Sequence, residues 1–173
     1  MNDIRALLDL ERWPDLQRQG EGFVAIHEPE KAEFYFKIKV NDPLPQDSIE
    51  KIVMFGAGAD PVLIRHLFSL CNGLWIAKFA VYGLLSGPRG LSQPWDINVP
   101  NCYRRPEGFP EDYLIVGVNQ ETDTKGKTHE QSHCITGDGR IVVIELEKHE
   151  TILREYRSIE DWLKSEAKRA LVA

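Results

Sequence analysis

The stretch that decides the fold is DPVLIRHLFSLCNGLWIAKFAVYGLL, residues 60–85. Asp60 can accept hydrogen bonds from the first amides of a helix, and Pro61 suits the first helical position because its nitrogen carries no hydrogen. Apolar residues then recur at helical spacing from Leu63 to Cys71 and share one broad face. The spacing therefore predicts a helix that packs on a core.

The second half of this stretch predicts a helix end and a strand. Asn72 and Gly73 tolerate the left-handed backbone conformation that commonly ends a helix. The run from Phe79 to Leu85 is rich in aromatic and aliphatic residues, which is typical of a strand. Its apolar side chains alternate to both sides, so we expect both faces to be covered. A strand of this kind belongs at the centre of a sheet.

Elements on the N-terminal side of this stretch are shorter. Phe23–Ile26 and Phe34–Val40 are predicted strands. In the second one apolar and polar residues alternate, which is typical of a strand with one solvated face. A short helix is predicted around residues 49–53, with Asp47 or Ser48 as its cap.

Further strands are predicted on the C-terminal side. Tyr113–Val118 is predicted to be a strand. Asn119 is expected to end it and to open a polar loop over residues 120–128. The segments 133–136 and 140–146 flank a Gly-Asp-Gly turn, which predicts a hairpin because these residues adopt positive φ angles at little cost.

The chain ends in a predicted amphipathic helix that Ser158 can cap. Strands and helices do not alternate regularly, and no repeat of fixed period occurs. We therefore predict an α+β fold, a single domain in which a mostly antiparallel sheet packs against several helices.

Size and composition agree with one globular domain. The chain has 173 residues, of which 42% are hydrophobic and 28% charged. Its apolar stretches are far shorter than a membrane span, and Met1–Leu10 lacks the apolar core of a signal peptide, so we expect no membrane segment and no export. The three cysteines have no paired spacing, which favours a reducing cytoplasm.

Charge indicates the kind of partner. The formal net charge of −6 argues against nucleic-acid binding, which needs clustered Lys and Arg, and fits a basic partner better. Residues 107–124 contain five acids and neither Lys nor Arg. From charge alone, a solvated loop surface is the favoured interpretation of such a run.

The sharpest chemical motif is HEQSH at residues 129–133, which matches H-E-x-x-H. In zinc peptidases this spacing puts two imidazoles on one helical face, and the glutamate acts as base. Here the flanking residues are polar and a Gly-Asp-Gly turn follows, so a packed helix is not expected. On a strand, His129 and His133 would lie about 13 Å apart, too far to share a metal.

Other catalytic and cofactor motifs are missing from the sequence. Gly56-Ala57-Gly58 lacks the third glycine of a dinucleotide loop, because proline occupies position 61. There is no P-loop and no G-x-S-x-G elbow, and Cys102 and Cys134 lie in no C-x-x-C pair. The sequence therefore predicts no cofactor, no metal and no catalytic residues.

The central stretch also resembles a known family. LFSLCNGL at residues 67–74, followed by VYGL at 81–84, is similar to the helix, Asn-Gly and strand signature of the SUKH superfamily, which includes the cell-wall-assembly-regulator-like family. Four later segments follow in that family's order of elements: PWDI at 94–97 with Asn101, the strand at 114–118, GDGRIV at 137–142 and SIEDWL at 158–163.

The resemblance implies a SUKH-like fold in one domain, residues 1–173. Its family-like core would span residues 44–168, and residues 1–43 would add an N-terminal helix and hairpin. The sequence departs from the family where Leu44-Pro45 stands well upstream of the Asn-Gly helix, with an extra short helix between.

The resemblance also implies a function. Bacterial SUKH members are largely immunity proteins that neutralise polymorphic toxins, many of them nucleases, in the cytoplasm and without chemistry of their own. An acidic protein can occlude a basic nuclease cleft by placing carboxylates where phosphates would lie. On charge alone, we expect the toxin-binding surface to comprise Asp96, Glu107, Glu111, Asp112, Glu121 and Asp123.

Two alternative functions stay open from the sequence. The first is a metal-dependent hydrolase that uses His129, Glu130 and His133. The second is a regulatory or scaffold module of the same fold, which binds a partner other than a toxin.

Overall fold

The computed structural model describes residues 4–10, 13, 15–26, 36–85, 95–122 and 124–172. Within these ranges nine strands form one antiparallel sheet in which the spatial order of the strands follows the chain. The predicted α+β class, with a mostly antiparallel sheet and several helices, is confirmed. The strands are β1 (Gln17–Gln19), β2 (Gly22–Ile26), β3 (Phe36–Asn41), β4 (Leu74–Ile76), β5 (Phe79–Val81), β6 (Leu114–Thr122), β7 (Thr128–Ile135), β8 (Ile141–Glu145) and β9 (Ile152–Tyr156), and the α-helices are α1 (Ile4–Leu7), α2 (Gln46–Phe55), α3 (Pro61–Leu70) and α4 (Ile159–Val172).

The predicted helix of the central stretch is α3. Asp60 caps it as expected, since its Oδ1 accepts hydrogen bonds from the amides of Val62 (2.7 Å) and Leu63 (3.4 Å). The buried side chains of the helix belong to one apolar stripe. They are Ile64, Leu67, Phe68 and Leu70.

Asn72 has a different task from the predicted one. The helix ends with an extended Cys71, and Gly73 is the residue with a positive φ, +89°. The side chain of Asn72 instead accepts a hydrogen bond from the Leu84 amide (2.7 Å) and donates one to the Leu84 carbonyl (3.2 Å). Asn72 therefore ties the end of α3 to the segment that follows β5.

The predicted central strand is β5, the fifth of the nine strands. All three of its residues are buried, so the expectation that both faces are covered is confirmed. The strand ends at Val81 and not at Leu85, because Gly83 exchanges backbone hydrogen bonds with residues 95 and 97. The preceding strand β4 was not predicted, since three residues are too few to show a period.

The C-terminal sheet extends further than the sequence predicted. Asn119 does not end β6, which continues to Thr122 and pairs with β7 from Thr128 onward. The expected polar loop over residues 120–128 is wrong for residues 120–122 and 128, which are strand, and is confirmed for residues 124–127. The polar residues at the paired ends of β6 and β7 are largely exposed, because no hydrophobic core covers this end of the hairpin. The edge strand β9 was also not predicted.

The N-terminal strands join the same sheet. The predicted strands correspond to β2 and β3, although residues 34 and 35 lie outside the described part of the chain. Ile38 of β3 pairs with Ile76 of β4, which connects residues before position 44 directly to the central strands. The helix α2 begins after Pro45, and neither Asp47 nor Ser48 caps it as predicted.

No helix in the described ranges combines the length and the apolar character that crossing a membrane requires.

Candidate functional site

Three turns meet at one end of the sheet and place acidic side chains close together. The Asp60 amide donates to the Thr136 carbonyl over 3.1 Å, which joins the start of α3 to the β7–β8 turn. The α2–α3 turn also touches residues 111 and 112, since a Cβ atom on Gly58 would lie 3.1 Å from Asp112 Cα. We name this region, comprising Asp60, Glu111, Asp112 and Asp138, the acidic corner.

The carboxylates of the acidic corner differ in how far they are neutralised. Asp138 accepts hydrogen bonds from Arg140 (2.8 Å) and Thr136 (2.5 Å), which hold the pKa of its carboxyl below the ordinary value. Asp60 is engaged as the cap of α3. Glu111 and Asp112 are exposed and have no ion pair within the described ranges. The corner therefore keeps a net negative charge.

A closed loop presents a further acid beside the corner. Arg105 donates to the carbonyls of Pro110 (2.5 Å) and Tyr113 (2.8 Å), and its guanidinium lies 4.9 Å from the centre of the Phe109 ring. These contacts hold the loop that displays Glu107, which is exposed. The cation of this loop thus points inward, and its carboxylate points to solvent.

Large apolar side chains border the acidic corner. Met54 and Phe55 end α2 and Val62 lies in the first turn of α3, so the three flank the turn that packs on Asp112. Their exposed fractions are 78%, 40% and 68%. Exposed apolar residues next to a charged rim are typical of a protein-binding surface.

Asp96 does not belong to any binding surface, contrary to the prediction. It is only 2% exposed, and its carboxylate accepts hydrogen bonds from the Leu85 amide (2.8 Å) and the Asn98 amide (2.9 Å). Asn101 plays a similar internal part, because it exchanges hydrogen bonds with the backbone of Ile115. These two residues fasten the segment after position 95 to the sheet.

The remaining predicted residues do not form one surface either. Glu111 and Asp112 belong to the acidic corner, and Glu107 is exposed on the loop that precedes them in the chain. Glu121 lies at the opposite end of β6, roughly 23 Å along the strand from Leu114. There it pairs with Arg169 over 3.1 Å and accepts a hydrogen bond from Gln131. Asp123 lies outside the described residues.

A buried polar cluster, which the sequence did not reveal, joins α4 to the sheet. Glu166 is fully buried, and Arg154 of β9 donates to its Oε1 over 2.8 Å. Tyr156 donates its hydroxyl to the same oxygen over 2.6 Å, and Asn119 donates to Oε2 over 3.1 Å. Burial, followed by the hydrogen bond to Glu166, raises the pKa of Tyr156 to about 12. One cation and two neutral donors thus compensate the carboxylate.

The sequence held one signal for this cluster. Glu166 follows Trp162 by four residues, so the acid lies on the same face of this amphipathic helix as a large apolar side chain. An acid on a buried stripe requires a cation on the surface that covers it. Since β9 was not predicted, Arg154 could not be named as that cation.

The H-E-x-x-H motif lies on β7, in a strand and not in a helix. His133 is fully buried, with ring centres 5.3 Å from Phe79 and 5.8 Å from Trp162. His129 is half-buried, about 13 Å along the strand. Among the described residues, no three His, Cys, Asp or Glu side chains are grouped so that they could hold a metal ion. The helical zinc site of a peptidase does not form from these residues.

His133 is also held in its neutral form. Trp162 Nε1 donates a hydrogen bond to His133 Nδ1 over 2.8 Å. Burial, with smaller contributions from Arg154 and Arg169, lowers the pKa of His133 to about 3. A general base works best with a pKa near the working pH, so this imidazole is better suited to packing than to proton transfer.

Compared with known proteins, the chain matches no protein-family model, no curated protein and no solved structure. The resemblance to the SUKH superfamily, with its division of the chain at residue 44, stays a prediction.

Proposed function

We propose that the protein is an immunity protein that binds a cognate nuclease toxin in the cytoplasm and blocks it without chemistry of its own. The observation that carries this proposal is the acidic corner with its exposed apolar border. Glu111 and Asp112, which have no ion pair among the described residues, touch the turn that Met54, Phe55 and Val62 flank, and Glu107 is exposed on the preceding loop.

The acidic side chains would act mainly during encounter. A nuclease cleft is positively charged because it holds phosphates, so opposite charge speeds association and orients the two proteins. Each exposed ion pair adds only about 0.2–1 kcal/mol once formed. The carboxylates therefore determine which partner approaches, and they contribute less to how long it stays.

The apolar side chains would supply most of the affinity. Interface energy concentrates in a few large side chains that become fully desolvated, while a polar rim excludes water around them. Met54 and Phe55 have this arrangement, since they are exposed within a charged surround. A partner that fits this surface has a basic cleft with an apolar pocket in it.

Co-expression with the toxin domain encoded by a neighbouring gene tests the proposal. We expect the wild-type chain to protect cells and to copurify with the toxin. The triple variant Glu107→Lys, Glu111→Lys, Asp112→Lys should lose both properties. The triple variant Asp15→Lys, Glu21→Lys, Glu130→Lys is its matched control, because it changes three other exposed acids and shifts the net charge equally.

A second pair of variants tests the apolar border. Met54→Ser should weaken toxin binding about tenfold or more. Tyr103→Ser is the control, since Tyr103 is comparably exposed, at 76%, but lies outside the border. Absence of protection and of any complex with the wild-type chain would refute the immunity function. Equal loss in both triple variants would instead refute the assignment of the binding surface.

A further inference from the structure

Two buried polar atoms beneath α4 have no hydrogen-bond partner among the described residues. They are Nε2 of His133 on β7 and Oδ1 of Asn119 on β6. His133 is fully buried, and Asn119 is 6% exposed. Polar groups in a protein interior are nearly always hydrogen-bonded, either to protein or to an ordered water molecule, because leaving them unpaired costs free energy. These two atoms therefore indicate a binding site inside the protein.

The neighbours of each side chain determine which of its atoms carries a hydrogen. Trp162 Nε1 donates to His133 Nδ1 over 2.8 Å, so the neutral imidazole carries its hydrogen on Nε2. Asn119 Nδ2 donates to the Glu166 carboxylate over 3.1 Å, and this contact fixes the orientation of the amide because a carboxylate accepts hydrogen bonds. His133 Nε2 is therefore an unused donor, and Asn119 Oδ1 is an unused acceptor.

The packing of the sheet and the helix brings these two side chains close together. In the ladder of β6 and β7, Asn119 pairs with the residue two positions before His133, so the two are diagonal neighbours, about 7–8 Å apart at the backbone. Their partners, Trp162 and Glu166, lie one turn apart on α4, roughly 6 Å along its axis. Phe79 pairs with Asn119, and its ring centre lies 5.3 Å from that of His133. Both side chains thus border one small region between β6, β7 and α4.

The chemistry of the two atoms restricts what can lie between them. An occupant has to accept a hydrogen bond from His133 and donate one to Asn119. A metal or ammonium ion cannot accept the first bond, and a chloride ion cannot donate the second. A water molecule does both and brings no charge into the interior. With two hydrogen bonds of about 2.8 Å each, it bridges atoms up to roughly 5.6 Å apart.

We propose that one water molecule is bound between β6, β7 and α4, where it accepts a hydrogen bond from His133 Nε2 and donates one to Asn119 Oδ1. The water completes a chain of hydrogen bonds that runs from Trp162 through His133 and Asn119 to Glu166. The two polar contacts of α4 with the middle of the sheet then act as one connected network. The site lies inside the protein, so it does not depend on the proposed toxin binding.

A high-resolution crystal structure of the full chain tests the site directly. We expect electron density for one water molecule within about 3.2 Å of both His133 Nε2 and Asn119 Oδ1. In solution, the Nε2 hydrogen of His133 should give a cross peak to water in a nitrogen-15-edited ROESY spectrum. A sign opposite to the diagonal marks dipolar contact with a bound water, whereas proton exchange with the solvent gives the sign of the diagonal.

A pair of variants shows whether Asn119 holds the water. Asn119→Leu should remove the dipolar cross peak, because the water loses its acceptor. Gln131→Met is the matched control, since it removes another buried amide from the same face of the sheet, one that bonds Arg154 and Glu121, and it should keep the peak. Circular dichroism establishes that each variant is folded, and the wild-type crystal structure decides the matter if one is not.

Three results would overturn the proposal. The first is a wild-type crystal structure without a water at this position. The second is a direct hydrogen bond between His133 and Asn119. The third is a dipolar cross peak that survives in folded Asn119→Leu.

Discussion

Trp162 and His133 form the contact that fastens α4 to the middle of the sheet, with indole Nε1 donating to imidazole Nδ1 over 2.8 Å. Both side chains are fully buried, and Phe79 of the central strand packs against both rings. The contact fixes the imidazole as a neutral acceptor and places its remaining hydrogen on Nε2. Several properties of the protein follow from this arrangement.

Trp162→Phe should destabilise the protein by about 3 kcal/mol, because it leaves a buried acceptor unpaired and opens a small cavity. Urea unfolding followed by circular dichroism measures the change. Trp75→Phe is the matched control, since Trp75 is half-buried and donates to the Ala77 carbonyl near the surface. It should cost about 1 kcal/mol. Equal losses of unfolding free energy in the two variants would contradict a larger contribution of the buried Trp162–His133 contact.

Stability should fall as the pH drops below 6.5. The unfolded chain takes up a proton at His133 near its ordinary pKa, whereas the folded protein resists protonation down to about 3. The free energy of unfolding should therefore decrease with a slope that rises from about 0.7 kcal/mol per pH unit at pH 6.5 to about 1.4 kcal/mol per pH unit near pH 5. His133→Asn should flatten this slope. A slope that survives in His133→Asn would contradict the prediction.

The pair formed by Glu166 and Arg154 should behave as a coupled unit. Arg154→Met alone leaves a buried carboxylate without its cation and should cost about 4 kcal/mol. Replacing both partners, as Arg154→Met with Glu166→Leu, should recover most of this loss, because no unpaired charge remains. A double-mutant cycle in urea measures the coupling free energy. Additive losses would show that the two groups act independently.

Gly83→Ala should destabilise the protein through steric conflict. A Cβ atom there would lie 2.6 Å from the Asn72 carbonyl oxygen and 2.7 Å from its side-chain oxygen, so the loss should be about 3 kcal/mol. Gly126→Ala provides the comparison, because that site is open but has a φ of +78°. It should cost about 1 kcal/mol. If the smaller loss occurred at position 83, the close approach to Asn72 would be in doubt.

The parts of the fold that the sequence predicted well are those set by neighbouring residues. Asp60 and Pro61 specify the start of α3 through local chemistry, and a run of apolar residues identified β5 without reference to any partner. The strands β6 and β7 were predicted too short because the ends that pair with each other beyond Asn119 are polar. A strand whose side chains face water cannot be distinguished from a loop by hydrophobic period alone.

The candidate site was predicted only in part, for a related reason. Charge located Glu107, Glu111 and Asp112 correctly at an exposed surface. It also selected Asp96, because an internal aspartate that binds backbone amides looks the same in sequence as an exposed one. The contribution of Met54 depends on the α2–α3 turn packing against residue 112. That contact joins residues far apart in the chain, so no local sequence pattern predicts it.

The order of the strands has a consequence for how the protein forms during synthesis. Every strand pairs with the one made just before it, so each newly translated segment finds its template already present. The neighbours with short connections, β1–β2, β4–β5, β6–β7, β7–β8 and β8–β9, can therefore form as successive hairpins during synthesis. The helix α4 is translated after β9 and packs back on earlier strands, so its arrival completes the buried polar cluster around Glu166.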